Sequence, residues 1–554
     1  MRIVRIALAI VGVAALGLGV GIGCSDNTAN NAGSGSSSGG TGASGASGAG
    51  TGASGSAGAH SGSSSGISDA GPDADAGGLD AGGKEVLYAN SGLSLGVFDL
   101  DVADGTLTPK LTDAGAGATM VPQVLQFADF DPGHKHLYLG ATTGTDHYLY
   151  ANAIDPSSGR LTALGASVDG GLGLLSPRGR VINLTVSGDD KYLLTVHNVT
   201  QSYSVFNIAG DSTLGTEVPQ ADGGNSNVGA FVHQVRVDPS GQYVTICDRG
   251  NDPATVVTDA GLVAKPEDVG HLLVYSFSGG VLTPKQTITF PSGYGPRHLD
   301  FHPTQPWVYA SVERGNRLIT YTFQNGMLTE KFNVASVANA ADAPDASLNA
   351  TEAVNGQRAG AIKVDPSGKY LWITNRNNLA IPDPGPPLDA GTDAAGGDAG
   401  DATVADAAPV DADAAPVDAD AAAADADAAA SDADGAADAA VADAGPVPMV
   451  FAETGENNIA LFSINQTTGE PTFVAAVDSH GVEPRTFVVD PAHKFLIVGN
   501  QKKVFRRQGG TLTTVLPNVA VFQIAADGRL TFLKSYDQTS GEVWWVGSTT
   551  VTGP

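Results

Sequence analysis

Five times along this 554-residue chain two strand-like runs flank a four-residue turn, and the residue opening the first run stands 16 positions before the one closing the second. The pairs are Ile182/Asn198, His233/Arg249, Arg297/Glu313, Gly360/Arg376 and Arg485/Gln501. The turns read SGDD, DPSG, HPTQ, DPSG and DPAH, residue types that favour tight turns through their backbone geometry. Each unit is therefore an antiparallel hairpin. The start of its first strand and the end of its second lie at the same end, opposite the turn, so all five pairs can face one rim.

Each unit continues into a third apolar and aromatic run: YSVFNI (203–208), HLLVYSF (271–277), RLITYTF (317–323), NIALFSI (458–464) and VAVFQI (519–524). A short segment of the form GxLT follows, as at Gly280–Thr283 and Gly528–Thr531. Four-strand units repeating in this way are the signature of a β-propeller. Two earlier units fit more loosely. One is 127–154, with rim pair Gln126/Thr142, and the other is 86–101, which lacks a first strand. EVWWVGS (542–548) can supply that strand from the other terminus and close the ring without a free sheet edge. The fold class expected is all-β, a seven-bladed propeller occupying 84–554.

Three segments stand outside the blades. Residues 1–23 carry Arg2 and Arg5, then an uncharged apolar run ending in small residues before Cys24, as in an export signal. The run is long enough to span a membrane, but its glycines and the cysteine after small residues favour a lipoprotein signal. Cys24 would then be the lipidated first residue and the only membrane contact. Ser25 after it resembles lipoproteins sorted to the outer membrane, so an extracytoplasmic location is expected. Residues 24–83 are nearly all Gly, Ser, Ala, Thr and Asp, the composition of a disordered tether. Residues 382–446 hold 16 Asp and no Lys or Arg, and fall between the second and third strands of one blade. This Asp/Ala-rich insertion is expected to be disordered and solvated; it lacks the glycine and closing glutamate of a calcium loop.

These segments account for most of the net charge of −29: without them the propeller carries about −10, which argues against nucleic acid as a partner. Cys247 is left alone, so the mature chain has no internal disulfide, and it reads as a small buried apolar residue. No His/Cys cluster has metal-ligand spacing, and neither metal nor cofactor is expected. No serine stands in a nucleophile-elbow context. A monomer is expected.

The rim is where the pattern turns chemical. Arg249, Arg297, Arg376 and Arg485 share it with His233, Glu313, Gln126, Asn198, Gln501 and Thr142, and only Ile182 and Gly360 lack a polar side chain. Clustered guanidinium groups repel unless an anion or carboxylate offsets them, and arginine presents paired donors to carboxylate or phosphate. An anion site and a set of inter-blade ion pairs are both open readings. His298 and His302 neighbour the rim, but adjacent strand residues face opposite sides, so packing or turn roles are expected for them.

GPRHLDFHPTQPWVYASVE (295–313), VHQVRVDPSGQYVTICD (232–248), IKVDPSGKYLWITNR (362–376) and PRTFVVDPAHKFLIVGNQ (484–501) resemble the seven-bladed lactonase family of 6-phosphogluconolactonases and carboxymuconate-lactonizing enzymes. The resemblance covers nearly all of 84–380 and 447–554. It implies a catalytic pair Glu313 and His233, either of which would activate water or move a proton, with Arg297 and Arg376 binding substrate; the rim pattern adds Arg485 and Arg249 to the substrate-binding set. The function implied is hydrolysis of an anionic or sugar lactone without a metal. The alternative is a non-enzymatic, surface-anchored propeller that binds an anionic ligand or a protein partner at the same mouth.

Overall fold

The computed structural model describes residues 83–552 except 93, 112–123, 144–145, 166–173, 177, 222–227, 252–253, 259–260, 266–267, 340–356, 378–379, 384–448, 452–454 and 509. The export signal, Cys24, the tether up to residue 82 and nearly all of the Asp/Ala insertion lie outside the described residues. Within them, seven antiparallel sheets each contribute a four-strand blade. The second to seventh blades begin at Val124–Phe130, Asn183–Val186, Val232–Val237, Pro296–Phe301, Arg358–Val364 and Pro484–Val489. The chain ends join in the first blade, where Val546–Thr552 pairs antiparallel with Gly83–Ser91. The C-terminus thus supplies the missing strand as the sequence implies, but four residues later than the 542–548 expected.

Second strands read as unbroken apolar runs because both of their faces are covered. Trp307–Val312 and Phe495–Asn500 are buried at every position. Outermost strands such as Val281–Thr289 are mostly exposed, with Leu282 buried and half-buried positions alternating with exposed ones toward the end. The apolar residues gather between neighbouring blades. Cys247, Leu272 and Val274 of the fourth blade pack with Leu299, Val308 and Val312 of the fifth. Leu87 and Leu100 of the first blade pack with Phe495 and Val521 of the seventh. Seven such clusters, one at each blade-to-blade interface, close the ring.

The recurrent GxLT glycine has a structural reason. Gly528 has a φ of 79°, and a Cβ there would lie 2.8 Å from the Tyr370 ring. Its carbonyl accepts a hydrogen bond from Trp372 Nε1 of the sixth blade at 3.0 Å. Glycine lets that turn press against its neighbour with a left-handed backbone.

Two features depart from simple hairpins. Register shifts mark β-bulges at His233, Arg297 and Arg485, at Gln126, and across Gly360–Ala361. The connections between second and third strands, which leave from the rim end, also form two-stranded ribbons in three blades: Ala254–Thr258 with Gly261–Lys265, Ala380–Pro382 with Met449–Phe451, and Val504–Gln508 with Thr511–Val515. Pro382, the expected first residue of the insertion, closes one of these strands. Asp383 after it forms an ion pair with Arg507 of the seventh blade.

Candidate functional site

The bulges fall where the rim residues stand. In a bulge two residues oppose one on the partner strand, which re-aims the extra side chain. Val232 pairs with Asp248 and Gln234 with Cys247, leaving His233 between; Arg297 and Arg485 occupy the same place in the fifth and seventh blades. Asn198, Arg249, Glu313 and Gln501 follow directly from a second strand, and Arg376 closes one. Glu313 is fixed there by its N–H to the Gly295 carbonyl (2.6 Å) and by its own carbonyl, which accepts from Ala359 N–H (3.0 Å).

Glu313 is the hub. Its carboxylate lies 3.2 Å from Arg297 Nε, 3.1 Å from Arg376 Nη2, 3.4 Å from Arg358 Nη1 and 3.9 Å from Arg249 Nη1, contacts that join three successive blades. Burial alone would raise its pKa, but the charges of Arg249, Arg376, Arg297 and Arg358 outweigh that and hold the carboxyl far below the usual carboxylate range. Arg376 also reaches Glu483 of the seventh blade at 3.4 Å. Among these named groups four guanidiniums meet two carboxylates. Of the two sequence readings of the rim, the inter-blade ion pairs are present: the arginines tie blades together through Glu313.

His233 is buried beside this cluster, its ring 5.0 Å from the His298 ring and 6.3 Å from Phe231. Its Nδ1 has no hydrogen-bond partner among the described residues. Burial, Arg297, His298, Arg485 and Arg249 all lower its pKa, so the imidazole is neutral at physiological pH. The Arg249 guanidinium carbon lies over the Phe231 ring at 4.0 Å and that of Arg485 over the Trp544 ring at 4.3 Å, and Arg485 also donates to Gln501 Oε1 at 3.4 Å.

The remaining rim positions lie in the second and third blades. Thr142 Oγ1 is 2.8 Å from His147 Nδ1, Asn198 Oδ1 accepts from Arg180 Nε at 3.4 Å, and Ile182 is buried. None of these contacts reaches Glu313. Gly360, expected as a rim position, serves backbone packing: a Cβ there would lie 2.2 Å from Thr374 Oγ1. Arg358, two residues earlier, makes that blade's contact instead.

The sequence reading missed Arg358, Glu483 and His298. His302 is the turn residue expected, its Nδ1 accepting from the N–H groups of Thr304 and Gln305. His298 is not a packing residue, since Arg297 Nη1 lies 3.1 Å from its Nδ1. Glu483 has a φ of 59°, a strained conformation for a glutamate. Cys247 is buried as expected, and burial pushes its thiol well above the usual range. Among the described residues no three His, Cys, Asp or Glu side chains converge on a point that could hold a metal ion.

Comparison with known proteins agrees with this architecture. Residues 87–382 and 414–521 match the family described as lactonase, 7-bladed beta-propeller. A 6-phosphogluconolactonase of Bacillus subtilis is 23% identical over 447 residues, covering 79% of this chain and 93% of its own length. The crystal structure of a 6-phosphogluconolactonase-like protein from Bacteroides fragilis superposes with a TM-score of 0.52 at 18% identity, covering 84% of this chain and 98% of that one. A periplasmic gluconolactonase of Pseudomonas aeruginosa gives 0.53 at 18% identity, covering 85% and 99%. The chain belongs to the seven-bladed beta-propeller lactonase family.

Proposed function

We propose that the protein hydrolyses an anionic or sugar lactone at the arginine-lined mouth, without a metal, and that it does so outside the cytoplasm on a lipid anchor at Cys24. The observation that carries the reading is a buried, neutral His233 with an unpaired Nδ1 beside a cationic cluster whose named groups hold more guanidinium than carboxylate. The names of its relatives, 6-phosphogluconolactonase and periplasmic gluconolactonase, support a sugar-acid lactone and an extracytoplasmic site of action.

In this scheme the carboxylate or phosphate of the substrate docks against Arg376, Arg485 and Arg249. His233 takes a proton from water as the water oxygen bonds to the lactone carbonyl carbon. Arg297 faces the negative charge that gathers on the carbonyl oxygen, a role worth most where water is excluded. The ring C–O bond then breaks, the proton on His233 passes to the departing ring oxygen, and a hydroxy acid leaves. Between the two candidate bases the physics favours His233. The Glu313 carboxylate is engaged by four guanidiniums, whereas His233 Nδ1 has no partner among the described residues, so Glu313 acts by fixing the arginines.

The test is turnover of a panel of phosphorylated, carboxylated and neutral lactones by the purified protein, with and without EDTA, beside Arg297→Ala and Glu313→Gln. Turnover that survives EDTA and is lost in both variants supports the reading. Absence of turnover, with anion binding still lost in Arg297→Ala, turns it toward a binding propeller.

A further inference from the structure

The segment that closes the ring ends its approach inside the mouth. Residues 541–545 lead into the closing strand, and they are pinned at the rim by Asn90 of the first blade. That side chain is fully buried and its Oδ1 accepts from the N–H groups of both Trp544 (2.8 Å) and Trp545 (2.7 Å). The Glu542 carbonyl accepts from Gly92 N–H at 3.0 Å.

One side chain of this segment meets Arg485 directly and a second reaches it through Gln501. The half-buried Trp544 ring lies under the guanidinium at 4.3 Å. Glu542 acts through Gln501: its Oε2 accepts from Gln501 Nε2 at 2.9 Å, which turns the amide so that Oε1 accepts from Arg485 Nη1 at 3.4 Å. Lys502 holds the other Glu542 oxygen at 2.8 Å. A guanidinium lying over an aromatic face is held against the ring, which limits the directions in which its N–H donors can point. Arg485 stands at a bulge, so its backbone already aims the side chain away from the strand's alternation.

We propose that Trp544 and Glu542 are positioning residues that set the plane of the Arg485 guanidinium, and through it the affinity of the mouth for the anionic end of its ligand. The inference rests on the reading of the mouth as an anion site. It makes ring closure a condition for a complete site, because the same residues that complete the first blade orient a residue of the seventh.

Binding of inorganic phosphate and of gluconate to the full-length protein, followed by calorimetry and tryptophan emission, tests it without relying on turnover. Trp544→Leu removes the ring, Trp544→Phe keeps a stacking face, and Glu542→Gln loosens the Gln501 amide. Loss of one cation–π contact corresponds to an affinity change of roughly 2- to 30-fold. Trp544→Leu should weaken both ligands within that range and Trp544→Phe should recover most of it, with thermal midpoints close to the wild type. Turnover of an anionic lactone should show a raised KM with kcat unchanged. Wild-type affinity in Trp544→Leu, or a Trp544→Phe variant as weak as Trp544→Leu, overturns the inference. A wild type that binds neither ligand overturns the anion-site reading as well.

Discussion

At the turn end of the fourth blade, Asp238 accepts hydrogen bonds from the N–H groups of Gln242 (2.9 Å) and Tyr243 (2.7 Å), all within its own hairpin. At the other end of that hairpin, Arg249 reaches into the fifth blade toward Glu313. The pattern repeats: Asp131 takes Lys135 and His136 N–H, and Asp490 takes Lys494 and Phe495 N–H, whereas Arg376 bridges Glu313 and Glu483 of its two neighbours. Turn-end carboxylates are satisfied by backbone donors supplied a few residues away, so each blade builds its own turn. Mouth charges are satisfied largely across blades, with Arg297 meeting Glu313 inside the fifth. The proposed ligand site falls at the end whose charges are shared between blades.

The largest expected effect comes from removing the hub of the mouth. Glu313→Gln leaves buried guanidiniums facing one another, and breaking a buried ion network of this kind costs about 3–5 kcal/mol. Unfolding should recover toward the wild-type midpoint when phosphate is added, because an external anion takes the place of the carboxylate. A variant as stable as wild type, or one that phosphate does not rescue, breaks the contrast between the two ends.

At the turn end, Asp238→Ala should cost about 1–3 kcal/mol by leaving two backbone donors without their acceptor. Anion affinity and any lactone turnover should stay unchanged. A changed KM would show that the two ends are coupled.

One turn-end group breaks the local rule and sharpens the comparison through pH. Asp490 also meets Glu85 of the first blade, which accepts Ala492 N–H at 2.8 Å and faces Lys494 as well. Burial, then the Asp490 charge, raises the Glu85 pKa from 4.5 to about 8. The folded chain therefore holds a proton that the unfolded chain releases above its ordinary value. Stability contributed by this group is fully present below 4.5, declines as pH rises, and is lost by about 8. Thermal midpoints of Glu85→Gln should match wild type near pH 5 and exceed it near pH 9. Parallel curves across that range would remove Glu85 from the account.

The hairpins were legible because turns such as Asp-Pro-Ser-Gly are specified locally, and the seven-blade count because five units repeat a local turn code and two more fit it loosely. The bulges were not read, although the sequence carries a trace of them: Val232, Val235 and Val237 slip by one position in their apolar spacing around His233. That slip also explains His298. Strict alternation sends it away from Arg297, whereas the bulge at Arg297 lets the two side chains meet. Glu483 had no local signal, since nothing in its residue type announces a left-handed backbone. Arg358 was overlooked because counting 16 back from Arg376 lands on Gly360, which the bulge turns into a packing position.

Two histidines at opposite ends of the hairpins test the account directly: His233 at the mouth of the fourth blade and His302 at the turn of the fifth. The measurement is lactone turnover together with the thermal midpoint for His233→Asn and His302→Asn. His233→Asn should lower kcat by about 10²- to 10⁴-fold with little change in midpoint, as expected for loss of a general base. His302→Asn should lower the midpoint and leave kcat/KM as in the wild type. Equal turnover loss in both variants, or full turnover in His233→Asn, would contradict it.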